Sequence, residues 1–276
     1  MSHVQTGYAD INGAHIYYES AGVASLTGDT VVFTHAAVAD SRMWDDQIEA
    51  FSQHHRVIRY DLRGFGQTNA PPMKFTHHDD LRALLDALGV NQPIALVGCS
   101  NGGRVAMNFT LANPDRVTKL VMVCSGPGGF EPENFQPAAL DMQSYEAAQA
   151  GDLEKAARLG AQLWLAGPER PVDRVDAAKL QLVYEMCLND LQKEAADIGD
   201  EQSMSPPGYQ RLDEIHIPVL VIVGDYDEPM ASLAAPFMEQ NIADVRRVNM
   251  PTGHLPSMEK PDEFNRVVLG FLDGAS

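Results

Sequence analysis

Basic residues are scarce in this chain. Twenty lysines and arginines stand against 38 aspartates and glutamates, a formal charge of −18 over 276 residues. A surface that neutralises phosphates needs a surplus of cations, so nucleic acid and anionic membrane are excluded as expected partners. The acidity reads instead as a contribution to solubility. Cysteine is scarcer still. Cys99, Cys124 and Cys187 are odd in number, widely spaced and never in a C-x-x-C pair. That removes a disulfide framework and a zinc or dithiol centre from the expectations and points to a reducing, cytoplasmic setting. Long apolar runs are also missing, since no stretch approaches the about 18 to 20 uninterrupted apolar residues of a membrane span. The opening residues, Met1 to Gly7, carry neither the basic nor the apolar block of a signal peptide. Repeats and low-complexity segments are absent.

What is present is an ordinary apolar fraction, 45%, enough for a sizeable core in one large domain or two small ones. The first strong pattern is a hairpin, Tyr8–Ile11 and Ala14–Glu19, with Asn12-Gly13 supplying two positive-φ turn residues. Apolar strands follow at Thr30–Thr34 and Arg56–Tyr60, with helical spacing from Trp44 to Phe51 between them. An amphipathic helix runs from His77 to Leu88, with Leu81, Leu84, Leu85 and Leu88 on one face, stopped by Gly89. A short buried strand, Ile94–Val97, then feeds directly into a helix that runs to about Asn113, and Val117–Val123 is the next strand. Continuous apolar strands alternating with helices predict an α/β fold, a parallel sheet covered on both faces. Functional residues in such sheets lie beyond the carboxyl ends of the strands.

From 127 to 208 no strand-like run is visible. The stretch is helical in character, Ser144–Leu165 and Arg174–Ile198, and carries fifteen acidic against six basic residues. It reads as a helical cap inserted into a core made of residues 1–126 and 209–276. The strand pattern then resumes at Pro218–Gly224. A helix over Ser232–Gln240, a last strand at Val245–Asn249 and a closing helix with proline in its first turn, Pro261–Leu272, complete the chain.

The chemistry centres on Gly98-Cys99-Ser100-Asn101-Gly102, a G-x-S-x-G placed at a strand–turn–helix junction. There the glycines permit a tight turn that projects the serine hydroxyl above the sheet. A serine hydroxyl becomes a nucleophile only when a base takes its proton and a carboxylate orients that base. Of nine histidines, His54, His55, His77 and His78 form adjacent pairs suited to caps or solvated faces, and His3, His15 and His216 sit in polar or hairpin settings. His254, in the loop after the last strand, is downstream of the serine on the carboxyl edge. Gly224-Asp225-Tyr226-Asp227-Glu228 offers the acid. Asp227 is preferred over Asp225 because the third residue of the turn can fold back toward the histidine loop. Two backbone N–H groups are needed for the developing oxyanion: that of Asn101, at the positive end of its helix, and that of Ala37, after the strand ending at Thr34. Val38, in the same loop, is a candidate pocket residue. No metal ligand set is apparent.

Five motifs in order, His35-Ala36, Asp61-Leu-Arg-Gly-Phe-Gly66, Gly98–Gly102, Gly224–Asp227 and Gly253-His-Leu-Pro-Ser-Met-Glu-Lys-Pro261, resemble the α/β-hydrolase family over essentially the full length. The resemblance implies an α/β-hydrolase fold: a mostly parallel sheet of about eight strands flanked by helices, with a helical cap. It also implies a cofactor-free serine hydrolase acting on a small carboxylic ester or lactone, as a monomer or small homo-oligomer. Ser100 would be the nucleophile, His254 the base and Asp227 its orienting acid. Trp164, in a cap stretch that looks like the lid of small esterases and enol-lactone hydrolases, would line the acyl pocket. Ala36 departs from the family's His-Gly, and its methyl is expected to narrow or re-angle the oxyanion loop. Alternatives on the same residues are a carbon–carbon bond hydrolase, a lyase, for which Lys260 is the nearest extra lysine, and a non-turnover small-molecule receptor.

Overall fold

The hairpin forms as expected, from β1 (Gln5–Ile11) and β2 (Ala14–Ala21), and Asn12 (φ 44°) and Gly13 (φ 74°) make its turn. The structure is a computed structural model that describes residues 4–22, 30–133, 135–194 and 198–274. His3, and residues 195–197 of the expected second cap helix, lie outside them. After β3 (Thr30–Thr34) come α1 (Asp45–Ser52), β4 (Arg56–Tyr60), the short β5 (Met73–Phe75), α2 (His77–Ala87), β6 (Ile94–Cys99), α3 (Asn101–Ala112) and β7 (Val117–Val123). The segment before the next sheet strand holds α4 (Ala139–Gln149), α5 (Leu153–Ala161), a π-helical turn at Gln162–Ala166, α6 (Ala177–Glu194) and β8 (Gly199–Glu201). The chain ends with β9 (Val219–Gly224), α7 (Pro229–Asn241), β10 (Val245–Met250), α8 (Pro256–Glu259) and α9 (Pro261–Leu272).

Eight strands form one sheet in the order β1-β2-β4-β3-β6-β7-β9-β10, antiparallel only where β2 meets β1 and β4. Val31, Val32, Leu96, Val97, Val121 and Ile222 in its centre are wholly buried. Parallel strands place all their carboxyl ends on one edge, so the loops after β3, β6, β7, β9 and β10 converge there.

Two expected elements differ. Residues 127–208 do contain a strand: Gly199–Glu201 pairs in parallel with Met73–Phe75 as a separate two-stranded sheet. Its sequence, Gly-Asp-Glu, has no strand propensity, and the pairing is imposed by tertiary contact. The expected helix Ser144–Leu165 is two helices, because Gly151 turns at φ 80° and Asp152 caps the second by accepting from the Lys155 N–H. Among the described residues no helix is long and apolar enough to cross a membrane.

His55 and His77 are buried rather than solvated. Burial pushes the His77 imidazole down from 6.5 to about 3. Below about pH 6.5 the unfolded chain therefore binds a proton that the folded chain declines, and stability is lost progressively as pH falls toward 3. His77→Gln is expected to shrink the difference between the urea midpoints at pH 7 and pH 5. An unchanged difference would remove His77 from the acid limb.

Candidate active site

The junction of β6 and α3 is sterically closed. A Cβ on Gly98 would collide with the Gly102 carbonyl, and one on Gly102 with the carbonyls of Thr34 and His35. Ser100 itself sits at φ 53°, ψ −120°, a conformation a residue with a Cβ rarely adopts and one that surrounding contacts must hold. Three hydrogen bonds do so. The Ser100 N–H donates to Val123 O (2.8 Å), and its carbonyl accepts from the Arg104 N–H (3.1 Å) and the Ser125 hydroxyl (2.7 Å). Ser125, just beyond β7, is one of the residues that sequence places at a strand's carboxyl end, though with no chemical role.

His254 stands in the loop after β10, with its ring Nδ1 2.9 and 2.8 Å from the two Asp227 carboxylate oxygens. Both side chains are enclosed, at 9% and 2% exposure. The Glu228 N–H donates to Asp227 Oδ1 (2.7 Å), so the carboxylate is held from two sides. Asp225 is directed elsewhere: its Oδ1 accepts from the exposed Asn249 side chain. Glu228 turns back to accept from the Ala138 N–H at the start of α4, and burial raises its carboxyl above the ordinary range.

Ser100, Asp227 and His254 line one cavity of about 340 Å³, together with Asn101 and Trp164. Asn101 opens α3, so its N–H has no acceptor within the helix. Ala37 lies in the turn after β3 and, like Val38, is not part of this cavity's lining. The Val38 carbonyl accepts from the Cys187 thiol of α6 (3.4 Å). Ala36 is wholly buried with the hydrophobic core, its carbonyl accepting from Ala39 and its N–H directed at Met43 Sδ. Its methyl therefore packs inward. Sequence reasoning overlooked the aromatic wall of Phe130 and Phe135, and Arg104, which also lines the cavity. Arg104 was legible in principle, standing one helical turn beyond Ser100. Its guanidinium donates to Asn101 Oδ1 (2.9 and 2.6 Å) and Glu201 (2.9 Å). Lys260 lies outside this lining and faces Glu263 at 3.9 Å.

The π-helical turn is wedged against both loops that carry His254 and Asp227. The His254 N–H donates to Trp164 O (3.0 Å), and the two rings sit 4.7 Å apart. A Cβ on Gly253 would meet Leu165 O at 2.5 Å, and one on Gly167 would strike Tyr226 O. Arg170 fastens the wedge. It donates to Ala166 O (2.6 Å), covers the Tyr226 ring at 4.2 Å and pairs with Glu259 (2.7 Å), whose other oxygen accepts from the Gly253 N–H (2.7 Å). Glu259 is 6% exposed, so Arg170→Met strands a buried carboxylate at a cost of about 3 kcal/mol. Loosening the His254 loop should also lower kcat about 10- to 100-fold. The urea midpoint and kcat together check this, and adding Glu259→Gln is expected to restore part of the stability.

The chain is similar to known proteins along most of its length. Residues 31–267 match the alpha/beta hydrolase family. A 2-hydroxy-6-oxononadienedioate/2-hydroxy-6-oxononatrienedioate hydrolase of Dechloromonas aromatica is 28% identical, over 88% of this chain and 86% of its own. Among solved structures, a thermophilic esterase from Thermogutta terrifontis superposes with a TM-score of 0.77 at 26% identity, covering 99% of this chain and 98% of its own. The enol-lactonase of Burkholderia xenovorans shares the fold, with a TM-score of 0.77 at 24% identity over 96% and 99%. With a match across most of its length, an eight-stranded sheet of the same fold and its motifs gathered on the sheet's carboxyl edge, the chain belongs to the alpha/beta hydrolase family.

Proposed function

We propose that this hydrolase cleaves a small carboxylic ester or lactone through an acyl-enzyme. The observation that carries the reading is the pairing of His254 with both Asp227 oxygens in the cavity into which the strained Ser100 is presented. Ser100 Oγ attacks the carbonyl carbon while His254 Nε2 takes its proton. Asp227 fixes the tautomer with the proton on Nδ1 and stabilises the imidazolium. The tetrahedral oxyanion is received by the Asn101 N–H at the positive end of α3 and by the Ala37 N–H. Collapse expels the alcohol, which takes the proton from His254. A water activated by the same imidazole then releases the acid.

Residues 127–208 act as a cap over this site, with Trp164 against the His254 ring shaping the acyl pocket. Esterase and lactonase chemistry among structural relatives supports the class. A panel of chromogenic esters and lactones of graded size, run beside the Ser100→Ala protein, tests the reading. Turnover confined to the serine protein is expected, and no turnover of any ester or lactone would overturn it.

A further inference from the structure

Three metal-ligating side chains converge in the same cavity from the ends of three strands. Cys124 follows β7, Asp227 follows β9 and His254 follows β10, and one ligand atom from each lies within 4.8 Å of the other two. All three line the cavity that Ser100 faces, so a solute that reaches the serine reaches them. Cys124 is 3% exposed and turns at φ 46°, its N–H anchored on Ile222 O (2.8 Å). Its thiol makes a long contact, 4.0 Å, to Gly253 O and hydrogen-bonds with the Asp227 carboxylate and the Gly224 backbone. The hydrolytic scheme uses the imidazole and the carboxylate but gives this thiol no task.

We propose that Cys124, Asp227 and His254 form a capture site for a borderline-soft divalent cation such as Zn²⁺ or Cd²⁺, and that its occupancy switches the hydrolase off. Thiolate, imidazole and carboxylate together favour zinc-like ions, whereas Mg²⁺ and Ca²⁺ prefer oxygen alone. Metal–ligand bonds of about 2.0 to 2.3 Å put tetrahedral ligand atoms roughly 3.3 to 3.8 Å apart. The widest pair must therefore close by about an ångström, and the His254–Asp227 contact must open by about half that. Three protein ligands leave the fourth position to water.

The balance of the step gives the mechanism of inhibition. The ion bonds Cys124 Sγ, an Asp227 oxygen and His254 Nδ1. The thiol proton leaves to solvent, and the Nδ1 proton is replaced by one on Nε2. One proton is released per ion, and no electron moves. Burial, and then the Asp227 charge, hold the free thiol well above its ordinary range, so the proton is present to be displaced. With Nε2 protonated, His254 has no lone pair for the Ser100 hydroxyl. This inhibitory half rests on the proposed role of His254 as base, whereas binding itself does not.

Metal-free protein titrated with Co²⁺ is expected to develop a near-ultraviolet thiolate-to-cobalt absorption that survives Cys187→Ala and Ser100→Ala and disappears in Cys124→Ala. Micromolar Zn²⁺ should suppress turnover of a chromogenic ester, reversibly with EDTA. Measured against each protein's own metal-free rate, the half-inhibiting concentration should rise about tenfold or more in Cys124→Ala. Cys124→Ser, which keeps the volume and replaces the thiolate with a weak ligand, should show the same rise even if the alanine variant does not fold. Equal inhibition of parent and variants, or no cobalt band in the parent, overturns the proposal. Should no ester be turned over, the hydrolytic reading fails while the cobalt band still reports on the site.

Discussion

Ser100→Ala is expected to lower ester turnover by about 10³- to 10⁶-fold, with the urea midpoint moved by less than about 1 kcal/mol. The two readouts separate because Ser100 is held by its backbone. Its N–H reaches Val123 O, and its carbonyl accepts from Arg104 and Ser125, so all three bonds survive removal of the hydroxyl. Alanine at φ 53° is no more strained than serine. What disappears is the atom proposed to form the acyl bond. The residue of activity would come from binding and from the oxyanion donors acting on attack by water. A slow ester should add its acyl mass to the parent protein and leave the variant unmodified. An alanine protein that kept a tenth of parental turnover would show that water, activated directly by His254, is the nucleophile.

The proposed cap has a second task in this scheme. Its π-helical turn touches the His254 loop through Trp164 O and the acid loop through Gly167, and Arg170 ties both to Glu259. A lid that only covered the cavity would have no need of these contacts with the loops beneath it. They make the geometry between imidazole and carboxylate depend on the cap, which is why substitution at Arg170, outside the cavity lining, is expected to reduce kcat.

Legibility in the sequence followed the locality of the signal. The strands Val117–Val123 and Arg56–Tyr60 and the helix Pro261–Leu272 have the bounds read from apolar runs and a first-turn proline, because those cues are carried by adjacent residues. Asp227 could be preferred to Asp225 because a tight turn after a buried strand restricts which side chain folds back. Gly199–Glu201 could not be read as a strand, since its three polar residues pair only after the chain has folded against Met73–Phe75. His77 gave no sign of burial, being one of two adjacent histidines at a helix start. Arg104, Phe130 and Phe135 meet around the cavity from separate elements, and no spacing rule links them to Ser100 except the helical turn to Arg104. The Cys124, Asp227 and His254 trio is dispersed over 130 residues and is assembled only by strand order.

Asp227→Asn should cost about 10⁴-fold in kcat while leaving stability unchanged or slightly improved. The Glu228 N–H decides the direction of the effect. It donates to Asp227 Oδ1 at 2.7 Å, so the asparagine oxygen takes that place and its NH₂ is turned to His254. An NH₂ facing Nδ1 can only donate, and Nδ1 must then accept, which moves the imidazole proton to Nε2. His254 would meet the Ser100 hydroxyl as a donor and could not receive its proton. Removing a carboxylate of 2% exposure also removes a desolvated charge, and Glu228 ionises more easily without it, so no net loss of stability is expected. Asp225→Asn supplies the contrast. Its partner is the exposed Asn249 side chain, and its turnover should stay within about twofold of the parent. Comparable losses in the two variants would mean that the acid loop acts through its net charge and not through the bond from Asp227 to Nδ1.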